Sequence, residues 1–271
     1  MTIDPKDWQV PGFREAFYEG RRAKFALCIF VINEGDRIRK QVQAMAGLAA
    51  VVDIVIADGG STDGSLDMSF LQQHGVRSLL VKTGPGKLSA QMRMALAWAM
   101  KQGYEGVITI DGNGKDGIEA VPEFVKLLEH GMDHVQGSRY VPGGRHENTP
   151  FLRIWGVQLL HAPLISLASR FRYTDTTNGF RAYSRRYLLD ERVQPFRDCF
   201  TGYELHYYLA IRAARLGFRC CETPVSRVYP GHGKIPTKIS PFKGNCLVLG
   251  TLFKAVMGCF NPSAIPVDQT N

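Results

Sequence analysis

Val107-Ile108-Thr109-Ile110-Asp111-Gly112-Asn113-Gly114-Lys115-Asp116-Gly117 is the stretch on which the reading of the fold turns. A β-branched, apolar run reads as a buried strand, and this one stops at a cluster of glycines carrying carboxylates and an amide. Comparable units precede it. Residues 25–32 form a strand signal closed by Asn33-Glu34-Gly35, with a helix expected over 37–48. Residues 51–57 read as a second strand, ending in Asp58-Gly59-Gly60-Ser61-Thr62-Asp63-Gly64, where Ser61 or Asp63 can cap the next helix. A third strand over 76–81, the loop 83–87 and an amphipathic helix over 89–102 complete the approach.

The quoted stretch is then the fourth strand, and 117–130 its helix. Strands alternating with helices predict an α/β fold, a mostly parallel sheet with helices on both faces. Residues 135–140 add one more strand, and beyond them the pattern changes. A long helix is expected over 153–171, a loop over 175–183 running into a short strand, a helix over 203–216 and a strand over 219–228. Pro230-Gly231-His232-Gly233-Lys234 opens a lysine-rich loop, a candidate mobile flap. This divides the chain into an N-terminal extension (1–23), a main domain (24–230) and a flexible loop with a C-terminal helix or tail (231–271).

The net charge of +8 suits an anionic partner. The basic residues are scattered and not interleaved with aromatics, so nucleic acid is not the expected partner. The six cysteines show no paired ligand spacing, which points to a reducing, cytoplasmic compartment. Residues 1–20 carry no apolar signal core. The nearest approach to a membrane span, residues 246–260, carries Lys254 and is short of the roughly 20 apolar residues a span needs. It reads as a helix packed on the domain, with a position on a bilayer surface as the alternative. Tyr203, Tyr207, Tyr208, Trp155 and Phe171 read as core aromatics, with a lipid groove as the sharper alternative.

Several strand ends carry polar clusters: Asn33-Glu34, Asp58, Asp111 with Asn113 and Asp116, and Ser138-Arg139. In an open parallel sheet ligands bind outside the carboxyl ends of the strands, so these clusters converge on one site. Carboxylates can take a ribose, a base edge or a hard cation, and the cations can take phosphate oxygens. That combination describes a nucleotide-diphosphate pocket.

Val31-Ile32-Asn33-Glu34, Asp58 to Gly64, Asp111-Gly112-Asn113, Gly137-Ser138-Arg139-Tyr140-Val141-Pro142-Gly143-Gly144 and Asp175-Thr176-Thr177-Asn178-Gly179-Phe180-Arg181 also carry a resemblance. In this order they resemble the sequence blocks of family 2 glycosyltransferases with the GT-A fold. The branch most resembled is that of dolichol- or polyprenyl-phosphate mannosyl- and glucosyltransferases. The resemblance spans roughly 24–230 and implies a Rossmann-like GT-A sheet with a C-terminal acceptor-side segment. It further implies a UDP- or GDP-linked sugar donor, inverting transfer and a polyprenyl phosphate acceptor. By it, Asn33, Glu34 and Asp58 contact the nucleoside, and Lys87 and Arg93 reach the diphosphate or line the pocket wall. Asp111 and Asn113 stand in the metal motif for Mg²⁺ or Mn²⁺, and Arg139 and Arg181 face donor or acceptor phosphates.

Two departures bear on the metal. Asn113 is a neutral ligand where the motif has its second aspartate, and Lys115 repels a cation. Either Asp116 completes the site, or Lys115 itself offsets diphosphate charge and the metal is held weakly. The acceptor decides whether a base is needed: a phosphate is already ionised near neutral pH, whereas an alcohol must lose a proton. Asp175 and Glu204 are the candidate bases, with capping roles as the alternatives. His206 and His232 lie near the site segments and read as structural or surface residues. Many relatives in this branch carry C-terminal spans; the expectations here are a cytoplasmic protein attached peripherally to the inner face of a membrane through Lys234, Lys238, Lys243 and Lys254, one with a separate membrane partner, or one with a soluble acceptor. The rival readings are a nucleotidyltransferase and a non-catalytic sugar-nucleotide-binding protein with a decayed metal site.

Overall fold

The computed structural model describes residues 4–231 and 243–262. In chain order its elements are β1 (Phe13–Tyr18), β2 (Phe25–Val31), α1 (Asp36–Met45), β3 (Asp53–Asp58), α2 (Met68–Gln73), β4 (Val76–Lys82), α3 (Leu88–Lys101) and β5 (Gly106–Asp111). Then come α4 (Val121–Glu129), β6 (His134–Ser138), β7 (Arg145–Glu147), α5 (Phe151–Gly156), α6 (Ala162–Ser169), β8 (Arg181–Ser184) and α7 (Arg185–Leu188). The chain ends with α8 (Glu204–Arg215), β9 (Cys220–Pro224), β10 (Ser226–Val228) and α9 (Lys243–Val256). An eight-stranded sheet runs β1-β4-β3-β2-β5-β8-β6-β9, and β7 pairs with β10 in a small sheet of its own.

The parallel core β4-β3-β2-β5 is the one the sequence predicts. Every residue of β2 is buried, as a strand covered on both faces requires. Its side chains alternate between two cores. Ala26, Cys28 and Phe30 pack with α3 and α8, whereas Leu27, Ile29 and Val31 pack with α1 and α4. A side chain such as Ile29, wholly removed from water, contributes about 1.5–3 kcal/mol. A charge placed there would unfold the sheet.

Register then places the chemistry. Val31 lies opposite Asp58 on one neighbour of β2, and Phe30 opposite Asp111 on the other. The two carboxylates therefore flank the end of one strand, beside Asn33 and Glu34.

Several sequence expectations change. Within the segment expected as an N-terminal extension, β1 adds antiparallel to β4 at the sheet edge. The strand expected over 219–228 divides at Val225: β9 stays parallel to β6, and β10 leaves for β7. The helix α2 is capped by Asp67, whose carboxylate accepts from the Phe70 amide, and not by Ser61 or Asp63. The helix expected over 153–171 is α5 and α6 joined through a π-turn, Val157–His161. Among the described residues this segment, Phe151–Ser169, is the one helix long and apolar enough to cross a membrane by length and composition, a property the sequence reading had sought at 246–260. The flap at Pro230 to Lys234 falls largely outside the described residues, as do His232, Lys234, Lys238 and the Lys243 side chain.

Candidate active site

The loops after β2 and β3 are knitted together. The Asn33 side-chain oxygen accepts from the Thr62 amide at 2.8 Å, and the Asn33 amide donates to Ser61 Oγ at 2.9 Å. Asn33 adopts φ +47°, a left-handed conformation that asparagine tolerates better than most residues. Asp58 is buried and accepts from Ser61 Oγ at 2.6 Å and from the Ser61 amide at 3.0 Å. Glu34 pairs with Arg37 at 2.7 Å. A cleft of about 250 Å³ opens here, lined by Asp58, Ser61, Asp63, Arg14 and Val81. A larger one of about 740 Å³, lined by Glu105, Asp133, Arg186 and Arg219, lies at the amino ends of the parallel strands. Ligands of such sheets bind at the carboxyl ends, so the smaller cleft is the functional candidate.

The acidic turn after β5 is held from outside the strand. Gln41 of α1 donates to the Asp111 carbonyl at 3.0 Å and accepts from the Gly114 amide at 2.8 Å. Its dominant partner is a residue the sequence reading missed. Arg227 Nη1 lies 2.6 Å from both Asp116 oxygens, and Nη2 lies 3.2 Å from Asp111 Oδ2. Burial alone would lower the guanidinium, but Asp116 and Asp111 hold it well above its ordinary range. Burial pushes the Asp116 carboxyl up while Arg227 pulls it down, and two contacts this short keep it ionised. Lys115 is also buried, and burial followed by repulsion from Arg227 lowers its ammonium.

Tyr229 was missed as well. Its ring lies 5.2 Å from Lys115 Nζ and 5.6 Å from the guanidinium carbons of Arg227 and Arg153, and its hydroxyl accepts from Arg153 Nη1 at 2.8 Å. Burial opposes ionisation of the phenol, yet Arg227 and Arg153 bring it below its usual value. This gathering of cations beside Asp111 is what a diphosphate requires. The available sequence signal was two acidic side chains, Asp111 and Asp116, with only Lys115 between them.

Other candidates are placed differently from their sequence reading. Arg139 and Asp175 form a buried bidentate pair, at 2.6 Å from Nε and 2.9 Å from Nη2. Arg181 is buried and donates to the carbonyls of Asn178, His206 and Thr176, so it braces the 175–181 loop instead of facing a phosphate. Arg93 donates to the carbonyls of Phe200 and Gln9, tying α3 to the N-terminal segment. Glu204 accepts from the Gly202 amide at 2.6 Å and so fastens the turn that leads into its own helix. Asp175 and Glu204 are thus both engaged. His206 is buried, with burial and then Arg181 driving its basicity well below the ordinary value. Lys87 starts α3 with an exposed side chain, its amide donating to the Thr201 carbonyl at 2.7 Å.

No protein-family model matches the chain. It is 29% identical over 201 residues to a polyprenol monophosphomannose synthase of Mycolicibacterium smegmatis, covering 72% of this chain and 73% of that protein. It is 28% identical over 181 residues to an undecaprenyl-phosphate mannosyltransferase of Micrococcus luteus, covering 65% and 72%. The chain resembles polyprenyl-phosphate glycosyltransferases. Its fold matches glucosyl-3-phosphoglycerate synthase from Mycobacterium tuberculosis in complex with Mg²⁺ and UDP, at a TM-score of 0.60 and 19% identity, covering 89% of this chain and 80% of that one. The GT-A architecture follows from that match.

That neighbour's complex raises the question of a divalent ion here. Among the described residues no group of three or more His, Cys, Asp or Glu side chains could hold a metal. Asp116 is committed to Arg227, Asp111 shares the same guanidinium, and the Asn113 side-chain oxygen accepts from the Lys115 amide at 3.3 Å. The set proposed from sequence, Asp111, Asn113 and Asp116, does not fit a divalent ion in this arrangement.

Proposed function

We propose that the protein transfers a hexose from a UDP- or GDP-linked donor to a polyprenyl phosphate, with inversion at the sugar C1. The observation that carries the reading is the register of β2, which sets Asp58 and Asp111 on either side of one strand end. The nucleoside lies over Asn33, Glu34 and Asp58, and the diphosphate points towards Asp111 and the cations around Tyr229. An acceptor phosphate oxygen attacks C1 in line, the bond from C1 to the diphosphate oxygen breaks, and the nucleoside diphosphate leaves. No proton has to be removed from an ionised phosphate, which agrees with both candidate bases being engaged in structural bonds.

The acceptor reading is consistent with the outer surface. Val157, His161, Ala162 and Ile165 pack inward, towards α8, while Phe151, Leu152, Trp155, Leu159 and Leu167 are exposed. A helix held along the domain with an apolar outer face suits a bilayer surface. Peripheral attachment through this face, at the inner leaflet, completes the proposal.

Incubation of the purified protein with a panel of sugar nucleotides, with and without polyprenyl phosphate, tests it. Release of nucleoside diphosphate together with a glycosylated lipid is the expected result. Pyrophosphate release would instead mark a nucleotidyltransferase, and nucleotide binding without turnover a sensor.

A further inference from the structure

Two carboxylates that face a diphosphate need positive charge between them, which a divalent ion commonly supplies. In this chain a guanidinium stands at that point. Arg227 touches Asp116 at 2.6 Å and Asp111 at 3.2 Å, so it bridges the carboxylate the resemblance assigns to metal and the one that could have completed that site. The charge count matches as well. Asp111 and Asp116 carry two negative charges, Arg227 and Lys115 two positive ones, as would a divalent ion between two carboxylates.

Backbone geometry fixes this arrangement. Asp116 and Arg227 form an antiparallel bridge, the Gly117 amide donates to the Ser226 carbonyl at 3.0 Å, and the Val228 amide donates to the Lys115 carbonyl at 2.8 Å. Main-chain register therefore sets Arg227 opposite Asp116, and contacts with Asp116 and Asp111 hold the guanidinium there. An entering Mg²⁺ would meet the Arg227 guanidinium with Lys115 nearby, and would have to strip Asp116 from a buried ion pair. Breaking such a pair is strongly unfavourable, because one charge is left buried without its partner.

We propose that Arg227, with Lys115 beside it, takes the place of the divalent cation, so that the donor diphosphate is bound by fixed side chains and without metal. The inference rests on the donor reading above. It assigns Arg227 a role no sequence motif marks: its outer edge meets the diphosphate oxygens while its inner edge keeps Asp111 and Asp116 neutralised.

The test measures UDP and GDP binding by calorimetry on chelator-treated wild-type protein, then with added Mg²⁺ or Mn²⁺. Affinity is expected to be the same in both conditions. Electron paramagnetic resonance is expected to find no Mn²⁺ bound with nucleotide. Arg227→Gln should lose about tenfold or more in nucleotide affinity, the worth of one charge-assisted contact. It should also acquire Mn²⁺ binding, because Asp111 and Asp116 then lack their cation. Lys115→Met, which leaves the Asp116 ion pair in place, should weaken nucleotide binding in a protein that still folds. Nucleotide binding that vanishes on chelation and returns with Mg²⁺ or Mn²⁺ overturns the inference and leaves the donor reading intact. Binding of neither nucleotide under any condition overturns both.

Discussion

Gly179 has no room for a side chain, because the Asp111 carboxylate lies against it. A Cβ there would lie 2.9 Å from Asp111 Oδ1, in a loop whose Gly179 carbonyl accepts from Thr109 Oγ1 at 2.9 Å. Gly179→Ala must push the Asp111 carboxylate aside, and it is the end of a side chain that yields, so the fold survives. Misplacing a reacting constellation by about 1 Å costs up to 100-fold. The overlap here is only a few tenths of an ångström, so turnover should fall by about tenfold while the melting temperature stays near wild type, and unchanged turnover would sink the assignment. Asp175 presents the opposite case, a carboxylate whose work is structural. Asp175→Asn leaves Arg139 buried beside a neutral amide and should lose about 3–5 kcal/mol in urea denaturation. A paired replacement, Arg139→Met with Asp175→Leu, should recover most of that stability. If it does not, the two side chains are not simply partners. At this scale Asp58 and Asp111 were legible because each ends an apolar run in glycines. Arg227 was not, since it lies 111 residues from Asp116 and only folding joins them.

At the scale of elements, the parallel strands were readable from continuous apolar runs, as burial on both faces dictates. Antiparallel insertion of β8 between β5 and β6 was not, because a short strand carries no mark of its direction. The break between β9 and β10 was hidden for a related reason: alternation continues through Val225 although the hydrogen-bonding partner changes. The β6 and α8 pair also hides a pH response. Burial, reinforced by Arg181, depresses His134 to about 3, and His206 is driven down by the same two causes. Above the ordinary histidine value both states are neutral and nothing is lost. Below it the unfolded chain takes up protons that the folded one refuses, so stability falls from about pH 6.5 towards pH 3. His134 alone should remove about 2 kcal/mol between pH 7 and pH 5. Denaturant titrations at those two pH values check this, and His134→Phe should flatten the difference. An equal slope in that variant would refute the attribution.

Over the whole molecule, the strand ends and the apolar outer face of α5 and α6 meet through Arg153. This residue sits on α5 and donates to Tyr229 within the cation cluster, so the helix with the apolar outer face also reaches the cations beside Asp111. Leu152 is 85% exposed and Leu167 77%, values that a helix facing only water would not be expected to combine with its buried inner row. Phe253 within α9 and Met257 just past its end are exposed as well, and α9 packs against both α6 and α8. With a net charge of +8, attachment should favour anionic lipid and weaken as salt screens it. Leu152→Glu with Leu159→Glu should reduce co-sedimentation with anionic vesicles about tenfold or more, since each change removes an apolar anchor and adds a repelled charge. Nucleotide affinity should be unaffected, because both leucines are exposed and neither belongs to the residues lining the cleft at Asp58. Transfer to a polyprenyl phosphate held in vesicles should fall in parallel with binding, whereas transfer to a short, water-soluble prenyl phosphate should persist. Loss of both activities would place these leucines in the fold of the site and not at a membrane face.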